Sequence, residues 1–252
     1  MSTDDGQLRV DYDRLRACLG TLSREHGDFL RRTVLIGGGA CWFYRALLNR
    51  VDDPEFSVPS FSPEEESLWL SKDLDFTGLM GHEAEALMPR RVVTDEAGRS
   101  YIAIDGIRLG FAQICFWLDA DTAKATCRRG RVTGLNGEAI DFFVADPVSL
   151  FREKQYATER RNAPADSLHL ALLREFLGWD VIHHVRGFLA DPALDQERKC
   201  VEFLKSVKSL APEILCDPRV ARRGVLDAGD STRNSPAMMQ AATVLKPFFA
   251  QA

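Results

Sequence analysis

Apolar residues return at helical spacing through Leu15, Leu19, Leu22 and Phe29, which predicts one amphipathic helix from about Val10 to Arg32. The pattern then changes. Thr33–Ile36 is an unbroken apolar run that predicts a strand, Gly37-Gly38-Gly39 a turn, and Trp42, Phe43, Ala46 and Leu47 the apolar face of a helix from about Ala40 to Asn49. Three prolines, several serines and an acidic run make Val51–Glu66 an expected loop. Leu70 to Phe76 reads as a strand and Gly81–Arg91 as a short helix. Val92-Val93-Thr94 and Tyr101–Ile104 flank Glu96–Arg99 as a hairpin, Leu109–Leu118 is a β-forming run, and Val132-Thr133 and Ala139–Val144 flank the tight-turn signal Asn136-Gly137. From Pro147 the chain reads helix after helix, at roughly 147–162, 165–189, 194–210 and 236–249, with Arg222–Ser235 an expected mobile loop rich in Gly, Asp, Ser and Arg. The expected fold class is α+β, a mixed β-sheet flanked by helices over residues 1–146, followed by a helical domain over 147–252.

Composition narrows the classes of function. A chain of 252 residues holds one large domain or two modest ones. A formal net charge of −5 argues against non-specific coating of nucleic acid as the main task. The basic spots Arg128-Arg129-Gly130-Arg131 and Arg222-Arg223 read as solvated turns. The six cysteines include no CxxC pair, which fits a reducing compartment better than a disulfide framework or a zinc site. The acidic N-terminus lacks an apolar signal core and no apolar run approaches a membrane span, so a cytoplasmic protein without membrane contact is expected.

The candidate chemistry lies at Asp73 and Asp75. Alternate residues of a strand share a face, so the two carboxylates stand side by side while Leu74 and Phe76 point the other way, into a core. Carboxylates that close repel unless a cation shares them, and an all-oxygen pair suits Mg²⁺ or Mn²⁺. The glycine turn opening a helix is a natural cradle for phosphates. It is not a dinucleotide fingerprint, because Trp42 stands where a third small residue belongs, and no GK[ST] follows to make a Walker loop. His183-His184 lies in an apolar helix without further ligands at metal spacing and reads as packing, and His82 as a surface helix start.

The order strand, Gly-Gly turn, helix and then Ser71-Lys72-Asp73-Leu74-Asp75-Phe76 resembles the nucleotidyltransferase superfamily, and within it the abortive-infection type of bacterial toxin nucleotidyltransferase. Asp146-Pro147 through Lys154, then Arg160-Arg161, then Asp166–Leu170, is similar to that group's helical signature of a lysine, an arginine two turns later and an Asp-x-x-Asp. The resemblance covers roughly residues 10–175. It departs at Gly39, where the family often has Ser or Thr, at Ala165, which replaces a basic residue, at His169, which replaces the second acid, and in the length of Val51–Glu66.

The resemblance implies a nucleotidyltransferase-like sheet and metal-dependent transfer of an NMP from an NTP to an acceptor hydroxyl on RNA, protein or a small molecule. Asp73 and Asp75 would bind Mg²⁺ or Mn²⁺, and Gly37, Gly38, Gly39, Lys72, Lys154 and Arg161 the nucleotide. A third carboxylate is implied on a neighbouring strand. Asp141 is the first choice because it interrupts an apolar strand, with Asp119 the alternative and Asp105 read as a turn residue. The toxin type also implies a separately encoded antitoxin protein. A catalytically silent nucleotide-sensing or interaction module is the second reading.

Overall fold

Alternation along the strands decides which side chains meet the helices and which stay free for chemistry. The computed structural model describes residues 11–69, 73–112, 115–161, 163–190, 194–231 and 236–249. Two compact units emerge, one of residues 11–47 and 60–170, the other of 48–59 and 171–252. The division therefore falls at residue 170 and not at the expected 146.

The first unit carries α1 (Tyr12–Glu25), α2 (Gly27–Arg32), β1 (Val34–Leu35), α3 (Gly37–Leu48), α4 (Pro63–Trp69), β2 (Asp73–Thr77) and α5 (Gly81–Leu87). After a 3-10 turn come β3 (Val92–Thr94), β4 (Ser100–Ile104), β5 (Ile107–Phe111), α6 (Ala120–Thr126), β6 (Arg128–Thr133), β7 (Ala139–Val144), α7 (Pro147–Arg161) and the start of α8 (Pro164–Ala190). The single helix expected over Val10–Arg32 is two, because His26 adopts a non-helical backbone (φ −139°, ψ 42°) and Gly27 starts anew. The Val51–Glu66 loop ends early. Ser62 and Glu65 form a reciprocal capping box, with Pro63 in the first turn of α4.

The seven strands form one mixed sheet in the order β3-β4-β5-β2-β1-β7-β6. The β2 strand runs antiparallel to β1 and parallel to β5, while β1 is parallel to β7. Both expected hairpins form, β3 with β4 and β6 with β7. One face of the sheet presents Leu35, Leu74, Phe76, Leu109, Ile140, Phe142 and Val144, all buried. Phe29 of α2 meets Phe76 edge-on at 5.0 Å and Phe43 of α3 meets Phe142 at 5.3 Å, so α2 and α3 cover this face. By the period of two, Asp73, Asp75, Arg108, Gly110 and Asp141 occupy the opposite face.

The second unit holds the rest of α8 with α9 (Leu194–Leu210), α10 (Pro212–Leu215), α11 (Pro218–Ser231) and α12 (Pro236–Phe249). The loop expected over Arg222–Ser235 is helical as far as Ser231, and residues 232–235 lie outside the described residues. Val220 and Ala221 are buried, and a Cβ on Gly224 would come within 2.7 Å of the Phe249 ring, so this glycine serves close helix packing and not a turn. Phe56, fully buried, packs on Gly178, while Asp53 pairs with Arg223 and Arg219 bridges Glu175 and Asp217. The 48–59 segment is thus anchored into the helical unit. Among the described residues no helix is long and apolar enough to cross a membrane.

Candidate functional site

Three strands meet at Asp75. Its backbone carbonyl accepts from Ile36 N at 2.9 Å where β1 ends, and its side chain rises beside Gly37, the first residue of α3. Gly37 has φ +63°, and a Cβ there would sit 2.6 Å from Asp75 Oδ2. On the other side Gly110 of β5 stands opposite Asp75 in the parallel register, and its Cβ would fall 2.3 Å from Oδ1. Only glycine at both positions leaves room for this carboxylate. Burial, and then the neighbouring charge of Asp73, push Asp75 up from 3.8 to about 6. No hydrogen bond or ion pair reaches its carboxylate oxygens among the described residues.

Asp73, Asp75, Gly37 and Gly38 line a cavity of about 540 Å³ together with Lys154 and Arg161. The cations arrive from α7, whose start is set by Asp146 accepting from Val148 N and Ser149 N, with Pro147 at the first helical position. Seven residues apart, Lys154 and Arg161 share a face of α7. Asp166, in the first turn of α8 and 1% exposed, holds both: Lys154 Nζ donates to Oδ1 at 2.8 Å, and Arg161 donates through Nε to Oδ2 at 2.7 Å and through its terminal nitrogen to Oδ1 at 2.9 Å. A buried carboxylate so engaged fixes the cations' positions while leaving part of the arginine head in solvent.

His169, one turn further along α8, also lines the cavity. Both its ring nitrogens are buried without a partner among the described residues. Burial, reinforced by Lys154 and Arg161, drives its pKa well below the usual histidine value, so the ring is neutral. Trp69 packs against it edge-on at 4.7 Å. On the opposite chain segment, Glu153 accepts backbone N–H bonds from Phe116, Trp117 and Leu118 at 3.0, 2.7 and 2.9 Å.

The cavity brings together Gly37, Gly38, Asp73, Asp75, Lys154 and Arg161 of the residues expected from the sequence. Gly39 is not in it. A Cβ there would press on Leu74 at 2.9 Å and Leu35 at 3.0 Å, so Gly39 serves packing of α3 on the sheet. Lys72 lies outside the described residues.

Asp141 stands apart from the pair. In register it is two residues before Phe143, which pairs with Val34, whereas Asp75 bonds at Ile36. That offset is four residues, about 13 Å along the strands, with β1 intervening. Asp141 instead accepts from Arg131 at 2.7 Å and Arg129 at 3.1 Å, which hold its carboxyl below the usual range. Asp119 caps α6 by accepting from Thr122 N at 2.8 Å. Asp105 makes the β4–β5 turn with φ +51°. The neighbouring β5 strand carries Arg108 and Gly110 opposite the acid pair, so no third carboxylate is supplied from there. Among the described residues no group of three or more His, Cys, Asp or Glu side chains forms a metal cluster. His82 is exposed on α5, and His183 and His184 pack against Trp179 and Phe203 in the helical unit.

Gly110, Glu153 and Phe116 complete the surroundings without having been assigned roles from the sequence, whereas Asp166 stands where the helical signature places its first acid. Gly110 was visible as an isolated glycine within a β-forming run, a signal of close approach. Glu153 and Phe116 carry no local signal, because they meet across more than thirty residues of chain.

Against protein-family models, curated proteins and solved structures, nothing matches this chain.

Proposed function

We propose that the chain is a metal-dependent nucleotidyltransferase that moves an NMP from an NTP to an acceptor hydroxyl on RNA, protein or a small molecule. The observation that carries this is the half-buried Asp75 carboxylate, beside Asp73 and between two glycines, in the same cavity as Lys154 and Arg161. Such a site costs stability and has no packing purpose. The donor set fits one Mg²⁺ or Mn²⁺, an ion commonly held by one or two carboxylates with the remaining positions left to water and phosphate. When bound there, the ion supplies neutralisation of phosphate charge.

The chain's own residues do the rest. Gly37 and Gly38 offer backbone N–H groups of the first turn of α3, unpaired within the helix, to phosphate oxygens. Lys154 and Arg161, steadied by Asp166, offset the charge that builds on the departing pyrophosphate. The lining of the cavity also includes the exposed ring of Phe116.

That no third carboxylate joins the pair among the described residues favours, as second reading, a silent nucleotide-binding module. Incubation with each α-labelled NTP, Mg²⁺ and total RNA, protein extract or small hydroxyl acceptors separates the two. Label transfer by the wild type and its loss in Asp73→Asn support the enzyme. Binding of NTP without transfer supports the module, and failure to bind any NTP in the presence of Mg²⁺ overturns both.

A further inference from the structure

Phe116 is an aromatic ring that the fold leaves open where burial would be the cheaper choice. It keeps 36% of its surface exposed, yet it lines the same cavity as Asp73, Asp75 and Lys154. The segment that carries the ring is held to α7. The Phe116 backbone N–H and those of the next two residues all donate to the buried Glu153 carboxylate, which ties the 116–118 segment to α7. Arg161 places its guanidinium 5.3 Å from the ring centroid, and Arg161 is itself fixed by Asp166. A ring whose backbone is tied down by hydrogen bonds and which has a fixed guanidinium over one face loses little entropy when something stacks on it. Planar heteroaromatic groups gain about 1–3 kcal/mol from such a face.

The polar groups of the cavity are arranged to match. Carboxylates and cations lie at Asp73, Asp75, Lys154 and Arg161, whereas Phe116 supplies exposed apolar surface without charge. A ligand with a highly charged part and a flat aromatic part satisfies both; a purely anionic one leaves the ring exposed.

We propose that Phe116 is the stacking platform for the nucleobase of the bound NTP, which deepens and rests on the nucleotidyltransferase reading above. A phenyl face has no hydrogen-bond pattern, so the platform accepts all four bases, purines more tightly than pyrimidines through their larger overlap.

Titration calorimetry of the full chain with Mg²⁺ and ATP, GTP, CTP, UTP or inorganic tripolyphosphate tests this. In the wild type each NTP binds more tightly than tripolyphosphate. Phe116→Ala weakens the NTPs by about tenfold or more, leaves tripolyphosphate unchanged and erases the purine preference, while Phe116→Trp restores NTP binding. Phe116→Leu, which keeps apolar bulk without a ring, behaves as the alanine variant and stands in for it should the alanine protein fail to fold.

Equal loss for NTPs and tripolyphosphate, or no loss for either, overturns the platform. So does a wild type that binds tripolyphosphate as tightly as the NTPs, and each of these results leaves the nucleotidyltransferase reading in place. A wild type that binds neither ligand removes that reading and the platform with it.

Discussion

Replacing Asp75 by Asn should stabilise the protein while destroying its site. In the folded chain the Asp75 carboxyl keeps its proton up to about pH 6, against 3.8 for the ordinary group. A carboxyl whose pKa is raised on folding lends most stability below its unfolded value and loses it as pH climbs through its folded one. At 1.36 kcal/mol per pKa unit, that gap sets a ceiling of about 3 kcal/mol of destabilisation at pH 7.5. Part of the residue reaches solvent, which trims the expected effect to about 1–2 kcal/mol.

Asparagine fits the same space between Gly37 and Gly110, and no hydrogen bond to the carboxylate is lost. The expected result is a midpoint of thermal unfolding about 3–6 °C above wild type at pH 7.5, with the gap closing toward pH 4. Millimolar Mg²⁺ or Mn²⁺ should raise the wild-type midpoint and leave Asp75→Asn unmoved, since only an ion that binds the folded state stabilises it. An Asp75→Asn protein less stable than wild type at pH 7.5, or offset from it equally at pH 4 and 7.5, refutes the claim that burial and the Asp73 charge strain this carboxylate.

Other perturbations probe the same arrangement. Gly110→Ala forces a methyl against Asp75 Oδ1 and should weaken Mg²⁺-dependent nucleotide binding by at least about tenfold, whereas Gly81→Ala, whose Cβ meets nothing within 4 Å, serves as a control without effect. Asp166→Asn leaves the buried Lys154 ammonium without its carboxylate and should cost about 3–5 kcal/mol in urea unfolding; a loss under 1 kcal/mol would show that the cations do not depend on Asp166. Asp141→Asn should leave nucleotide binding and label transfer at wild-type levels, because Asp141 is engaged by Arg129 and Arg131 four residues down the sheet from Asp75. Transfer that collapses in this variant would restore Asp141 to the site.

Local features were legible in the sequence because their causes are local. The shared face of Asp73 and Asp75 follows from the period of a strand, the start of α7 from Asp146-Pro147, and the common face of Lys154 and Arg161 from their spacing of seven. Other local signals were present but outweighed. The capping box Ser62–Glu65 sits inside a proline- and serine-rich stretch that reads as loop, and the glycines and acids of α11 mask a helix that packing against Phe249 sustains.

What surrounds the acid pair was settled only by strand order. Nothing in the run Ile140-Asp141-Phe142 says that β1 will intervene between β7 and β2, or that the register will set Asp141 four residues away from Asp75 along the strands. Likewise the seat of Gly110 opposite Asp75, and the clasp of Asp166 on Lys154, join residues whose separation along the chain no periodicity encodes. The division at residue 170 has the same origin, since the α7 cations and the early α8 carboxylate Asp166 that holds them belong to the unit that carries the acid pair. Backbone periodicity fixes which way a side chain points; only the packing of distant segments decides what it points at.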